Sequence, residues 1–129
     1  MTLVVDANVV VAASTADEGF ARFGPEELVA PPLLWSEARS ALHVGLWRGQ
    51  LSPDNARIAL ELVEQGPVRQ RSHPRLGSVA WRIADELGWA KTYDAEYLAL
   101  ASLLGCRLAT LDTRLAHAAD RLGVGVAAI

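Results

Sequence analysis

The chain has 129 residues, of which 51% are hydrophobic and 21% charged, with a formal net charge of −3. This composition excludes a disordered chain and predicts one compact domain over residues 1–129. The single cysteine, Cys106, excludes an internal disulfide and a cysteine-rich metal site. No apolar run approaches the ~20 residues that cross a bilayer, and the first residues lack the basic start of a secretion signal. We therefore expect a cytoplasmic protein without a membrane segment.

Strands and helices alternate along the chain, as short β-branched runs followed by longer helical patterns. In chain order, the patterns predict a strand over 2–5, a helix over 8–14, a strand over 28–30, helices over 33–47 and 52–66, a weak strand over 68–70, helices over 73–87 and 94–104, a strand over 107–110, a helix over 113–122 and a last strand over 124–128. Such alternation predicts an α/β fold, in which a mainly parallel sheet of about four to five strands has helices on both faces.

Four carboxylates lie where an apolar strand or helix breaks: Asp6, Glu37, Asp94 and Asp112. Asp6 ends the first predicted strand, and Asp112 follows the fourth. Because ligands bind beyond the carboxyl ends of parallel strands, both side chains should reach the same rim of the sheet. Glu37 and Asp94 are predicted in the first turns of helices that can point at this rim. We therefore expect the four acids to converge on one site.

Each acid also has an ordinary structural explanation. Asp94 and Asp112 each precede a predicted helix, and an N-cap role, which stabilises a helix by about 1 kcal/mol, explains each of them equally well. Glu37 is explained by the favourable interaction between a first-turn acid and the helix dipole. Asp6 is the hardest to explain in this way, because burying a carboxylate is costly unless a hydrogen bond or a cation compensates.

Clustered carboxylates favour hard divalent ions, since Mg²⁺ and Mn²⁺ prefer oxygen ligands and retain water molecules. Ions held in this way activate a water molecule and stabilise charge on the attacking and leaving oxygens of a phosphodiester. No side chain is then needed as a general base. The three histidines, in contrast, show no metal-ligand spacing. The acids therefore indicate metal-assisted phosphodiester hydrolysis with Mg²⁺ (or Mn²⁺) as the cofactor.

In order and spacing, the four acids resemble those of the PIN-domain nucleases, and within that family those of the VapC-type toxins of bacterial type II toxin–antitoxin pairs. Four segments, each containing one of the acids, carry the resemblance: residues 4–8, 36–42, 93–101 and 108–115. The third segment, which begins with Tyr93 and Asp94, is the closest match. The resemblance spans nearly the whole chain and implies one complete, minimal PIN domain.

The resemblance implies a metal-dependent endoribonuclease whose site comprises the four acids. It also implies supporting roles for Asn8 and Thr110, which would ligate through water or orient a carboxylate. A helix-start residue and a strand-end residue explain these two positions equally well. Glu96, two positions beyond Asp94, is predicted on a different helix face, solvated or peripheral to the site. The implied partners are an RNA substrate, a VapB-like antitoxin that blocks or rearranges the pocket, and a second copy in a homodimer that covers part of the tryptophan-rich surface.

Three other functions share part of this sequence pattern. A receiver-type signalling domain also gathers acids around Mg²⁺, but it uses a lysine near the last strand, and the sole lysine here, Lys91, precedes the helix of Asp94. A non-catalytic PIN-like scaffold that binds RNA or protein would lack one of the acids. A housekeeping RNA-processing nuclease would have the same pocket as a toxin. The net charge of −3 argues against an RNA partner, because proteins that bind phosphate are usually basic. If a metal neutralised the four acids, the rest of the chain would carry +1, so this objection is weak.

Overall fold

The computed structural model describes all 129 residues. Its sheet consists of four parallel strands, β1 (Thr2–Val5), β2 (Glu27–Ala30), β3 (Arg69–Gln70) and β4 (Arg107–Ala109), in the order β3-β2-β1-β4. β1 is therefore an interior strand, paired with β2 on one side and with β4 on the other. Because all pairs are parallel, the carboxyl ends of the four strands lie along one edge of the sheet.

Six α-helices flank the sheet: α1 (Ala7–Thr15), α2 (Leu33–Trp47), α3 (Pro53–Gln65), α4 (Leu76–Leu87), α5 (Tyr93–Leu104) and α6 (Thr113–Arg121). A short 3-10 helix (Gly19–Phe23) lies between α1 and β2. α1, α2 and α3 pack against one another, and α4 packs against α5, which contacts β1 and β4. The predicted α/β fold with a parallel sheet is confirmed. None of the helices combines the length and the apolar character that crossing a bilayer requires.

The core is built around β1 and α5. Leu3, Val4 and Val5 are at most 2% exposed, and a continuous run of apolar residues suits a strand that is covered on both faces. In α5, Ala95 and residues 97–101 are all buried. A helix that is apolar on every side must lie inside the molecule. The acids and polar groups attached to these two elements are therefore held by the most buried part of the protein.

Two predicted elements differ from the structure. Residues 124–128 form no strand, and only Val126 makes an isolated bridge, to Leu108. This segment contains Gly125, which has no side chain to pack and weakens a strand. The helix predicted over 73–87 begins at Leu76, because a residue that precedes a proline avoids the helical conformation and His73 precedes one. The side chain of His73 instead accepts a hydrogen bond from the Arg75 amide at 3.0 Å.

Candidate active site

Asp6 forms the whole connection between β1 and α1. Its side chain caps the helix, since Oδ1 accepts a hydrogen bond from the Val9 amide at 2.9 Å. The other carboxylate oxygen, Oδ2, accepts a hydrogen bond from the hydroxyl group of Thr110. Asp6 is only 4% exposed. Its carboxyl group is therefore held in one orientation at the carboxyl edge of the sheet, and its two hydrogen bonds offset part of the cost of burial.

Thr110 connects Asp6 to Asp112 across the ends of β1 and β4. Its Oγ1 donates to Asp6 and accepts a hydrogen bond from the Asp112 amide at 3.0 Å. Asp112 is the N-cap of α6, and its Oδ1 accepts hydrogen bonds from the amides of Arg114 at 2.8 Å and Leu115 at 3.3 Å. The N-cap explanation of Asp112 is therefore confirmed. It leaves Oδ2 of this carboxylate without a hydrogen bond to the protein.

Glu37 is held by a tyrosine that the sequence analysis did not single out. Tyr97 is 1% exposed, and its hydroxyl group donates a hydrogen bond to Oε1 of Glu37 at 2.6 Å. Burial and this hydrogen bond raise the pKa of Tyr97, and the charges of Glu37, Asp6 and Asp94 raise it further. The phenol therefore stays protonated at neutral pH. It acts as a fixed donor to Glu37 in a region shared by three of the acids.

Asp94 lies in the first turn of α5, but the N-cap of this helix is Thr92, so the N-cap explanation of Asp94 is wrong. Its Oδ2 forms an ion pair with the guanidinium group of Arg114, which belongs to α6. This guanidinium group also lies over Trp89, and its central carbon is 4.7 Å from the centroid of the ring. The charge of Asp94 is therefore paired with that of a cationic side chain of the same protein.

The charges of neighbouring acids raise the pKa of Asp6 and of Glu96. Burial raises the pKa of Asp6 most, and the charges of Asp112 and Asp94 raise it further, although its two hydrogen bonds lower it. The pKa of Glu96 is raised by burial and by the charge of Glu37. Like charges in a common site have this effect, because each disfavours the ionised form of its neighbour. A bound cation would relieve this repulsion.

Of three further residues that the sequence singled out, only Glu37 is placed differently from the expectation. Glu37 is the fifth residue of α2 and lies beyond its first turn, so the helix dipole does not explain it. Glu96 is half-buried beside Glu37, so of its two predicted placements the peripheral one fits, because α5 lies inside the molecule and little of its surface faces water. Asn8 is exposed in the first turn of α1, and its side chain contacts none of the four acids by a hydrogen bond. Its supporting role stays a prediction.

No three histidine, cysteine, aspartate or glutamate side chains already form an arrangement that could hold a metal ion. The type of ligand nevertheless fits a hard divalent ion, since carboxylate oxygens are the donors that Mg²⁺ and Mn²⁺ prefer. Three oxygens make no hydrogen bond to the protein, namely Glu37 Oε2, Asp94 Oδ1 and Asp112 Oδ2. The residues therefore fit such an ion in chemistry, and side-chain movement would complete the ligand set.

Comparison with known proteins assigns the family. The family described as PIN domain matches residues 3–121, a segment that includes all four acids. The chain belongs to the PIN domain family. Ribonuclease VapC9 from Mycobacterium tuberculosis is 36% identical over 115 residues, which cover 88% of this chain and 87% of that protein. The prediction of a VapC-type PIN nuclease is therefore confirmed.

Solved structures share the fold of this PIN domain. The crystal structure of PAE2754 from Pyrobaculum aerophilum is similar with a TM-score of 0.75 and 25% identity, and the match covers 92% of this chain and 84% of that one. FitAcB from Neisseria gonorrhoeae has a TM-score of 0.63 at 19% identity, with 96% of this chain and 95% of that one covered. At this identity FitAcB shows the fold alone. The sheet and its flanking helices are thus those of known PIN-like structures.

Proposed function

We propose that this PIN domain is the ribonuclease toxin of a VapBC-type toxin–antitoxin pair and that it hydrolyses RNA phosphodiester bonds with Mg²⁺ or Mn²⁺. The proposal depends most on one observation, the hydrogen-bonded connection from Asp6 through Thr110 to Asp112 at the carboxyl edge of the sheet. The 36% sequence identity to Ribonuclease VapC9 supports RNA as the substrate.

The catalytic residues in this proposal are the four acids, and three of them have a dedicated donor that fixes their direction. Backbone amides at the starts of α1 and α6 orient the carboxylates of Asp6 and Asp112. The hydroxyl group of Tyr97 orients Glu37. A side chain that is already oriented loses little conformational freedom when it binds a cation. Asp94 differs, because its partner is the charged side chain of Arg114.

A divalent ion held by these acids would activate a water molecule and stabilise negative charge on the scissile phosphate. The protein also provides positive charge for the RNA backbone. A cleft of about 390 Å³ is lined by Glu37 and Asp94 and, beside them, by Lys91 and Arg114. Because cationic side chains bind phosphate oxygens, an RNA phosphate in this cleft would lie next to two of the acids.

Incubation with mixed total RNA tests the proposed reaction. The protein is incubated with Mg²⁺, with Mn²⁺ or with EDTA, and the ends of the fragments are sequenced. We expect discrete fragments with either metal and none with EDTA. The Asp6→Asn variant should produce no fragments, because it removes a charged ligand while keeping an N-cap residue.

Asp120→Asn is the matched control, because Asp120 is an exposed aspartate of α6 outside the proposed site. This variant should cleave as the wild type does. Cleavage that persists in EDTA would contradict the metal dependence. Cleavage by Asp6→Asn at the wild-type rate would contradict the assignment of Asp6. If the protein neither cleaves RNA nor binds metal in calorimetry, the scaffold alternative replaces the nuclease.

We further propose that the chain forms a homodimer, binds a VapB-like antitoxin and acts in the cytoplasm. Two exposed tryptophans support an apolar interface, since Trp47 in α2 is 82% exposed and Trp81 in α4 is 68% exposed. Light scattering should give the mass of a dimer for the wild type and a lower mass for Trp47→Ser or Trp81→Ser. A monomeric wild type at all concentrations would contradict the homodimer.

A further inference from the structure

Arg114 contacts the proposed site at two of its four acids. Of the ion pairs in the structure, only the pair between Arg114 and Asp94 involves a proposed catalytic acid. The backbone amide of Arg114 donates to Oδ1 of Asp112 at 2.8 Å, which anchors the residue at the start of α6. Its guanidinium group extends from there to Asp94. The backbone of Arg114 is therefore fixed beside one acid, while its side chain neutralises another.

The guanidinium group is placed where it can exchange partners. The side chain of Arg114 is 57% exposed and that of Asp94 is 37% exposed, and ion pairs in water are weak because solvent screens them. The face of Trp89 lies 4.7 Å from the guanidinium carbon. An aromatic face stabilises an arginine that has left its carboxylate. Movement away from Asp94 therefore leaves the guanidinium group with a favourable contact.

A metal ion bound by Asp94 would compete with this guanidinium group for the same carboxylate. Arginine keeps its charge at every relevant pH, so it cannot be neutralised when a second cation approaches Asp94. The same side chain lines the cleft that also contains Lys91. A planar guanidinium group binds phosphate through two parallel hydrogen bonds, which a lysine cannot provide.

We propose that Arg114 holds Asp94 in the metal-free protein, releases it when a divalent ion binds, and then binds an RNA phosphate in the cleft. Arg114 is in this view a positioning residue for the metal and a binding residue for the substrate. The inference rests on the proposed metal-dependent function. While Arg114 holds Asp94, no three of the acidic side chains are arranged to hold a metal ion.

Calorimetry with Mg²⁺ and Mn²⁺, without RNA, tests the competition. Arg114→Gln should bind the metal more tightly than the wild type, by up to about fivefold, the range that a partly exposed ion pair spans. Arg121→Gln is the matched control, because Arg121 is an exposed arginine of the same helix without an ion pair. Its metal affinity should equal that of the wild type.

Equal or weaker metal binding by a folded Arg114→Gln protein would overturn the competition. Absence of metal binding in the wild type would instead overturn the proposed metal-dependent function itself, so the two failures are distinguishable. If Arg114→Gln does not fold, as judged by circular dichroism, Arg114→Lys replaces it. This variant keeps the charge but loses the paired donors, and it should also bind the metal more tightly.

Trp89 provides a second readout that does not depend on activity. Tryptophan emission should change during metal titration of the wild type and of Arg121→Gln, because the guanidinium group moves relative to the indole ring. The change should be absent in Trp89→Phe, which removes the reporter, and in Arg114→Gln, which removes the moving group. A change of wild-type size in Arg114→Gln would overturn the proposed movement.

Steady-state kinetics on a cleaved RNA tests the phosphate contact. Arg114→Gln should raise KM at saturating metal, and the slope of log KM against log salt should fall by about one, the effect of losing one phosphate contact. Arg121→Gln should change neither quantity. An unchanged KM and salt slope in Arg114→Gln would overturn the binding of phosphate by this residue.

Discussion

Replacing Thr110 by valine tests whether one hydroxyl group aligns the acids. The substitution keeps the shape of the side chain but removes two hydrogen bonds, the one donated to Asp6 and the one accepted from the Asp112 amide. Thr110 is 7% exposed, so water cannot easily replace them. A hydrogen bond to a charged group contributes about 1.5–3 kcal/mol and a neutral one about 0.5–1.5 kcal/mol.

We expect Thr110→Val to lower the free energy of unfolding by about 2–4 kcal/mol. In a domain of this size that corresponds to a decrease in melting temperature of roughly 6–15 °C. Scanning calorimetry in EDTA at neutral pH measures this decrease. Cleavage of RNA should fall as well, since the hydroxyl group orients two of the proposed ligands.

The pH dependence separates this hydrogen bond from a simple packing defect. The bond from Thr110 lowers the pKa of Asp6, although burial keeps that pKa above its ordinary value of 3.8. The hydroxyl group therefore stabilises the ionised carboxylate. The difference between variant and wild type should be full at neutral pH and should shrink as the pH falls toward 3.8 and Asp6 takes up a proton.

Thr113→Val is the control, because it makes the same change at an exposed position of α6 where the hydroxyl group makes no hydrogen bond to the protein. It should shift stability by less than about 0.5 kcal/mol. An equal loss of stability for Thr110→Val at both ends of the pH range would refute the role of the bond to ionised Asp6. A loss no larger than that of Thr113→Val would refute the magnitude.

Substitutions at three further positions have distinct expected results. Asp6→Asn should melt higher than the wild type in EDTA at neutral pH, because burial raises the pKa of Asp6 and its ionised form costs stability as the pH rises; the advantage should disappear near pH 3.8 in calorimetric scans. Tyr97→Phe should slow cleavage by about 10–100-fold in initial-rate assays, since it removes the donor that orients Glu37, and an unchanged rate would contradict this. Asp112→Ala should lose about 1 kcal/mol in urea denaturation through its missing cap, whereas Asp112→Asn keeps the cap; both should lose cleavage.

The order of elements could be predicted because the signals for it are local. Asp6 interrupts an apolar run, prolines stand near the starts of α2 and α3, and glycines follow α4 and α5. Strand pairing at the sheet margin is not local. Residues 124–128 contain two valines, which are typical of strands, but they form only a single bridge, to β4. This segment has one neighbouring strand to pair with, and its glycine weakens the pairing.

The four acids could be proposed from the sequence because strand ends and helix starts converge on one edge of a parallel sheet. The side chains that contact these acids could not be predicted from the sequence. Tyr97 lies in an apolar run, which predicts an ordinary core residue. The hydroxyl group of Tyr97 contacts Glu37, which is 60 positions away in the sequence. Arg114 follows Asp112 by two positions, which was a usable signal for a cation near the site. Its pairing with Asp94, 20 positions away, depends on how α5 and α6 pack.

Between Val5 and Ala7 the chain has a single residue in which to pass from an interior strand into a helix. Local opening that freed Asp6 would also break the pairing of β1 with β4, which the Asp6 amide extends by a hydrogen bond to the Ala109 carbonyl. Segments of this kind open only when the whole molecule unfolds. The Val9 amide should therefore be among the slowest to exchange with deuterium. A regulator of such a site has to cover it, because loosening it would require unfolding the protein.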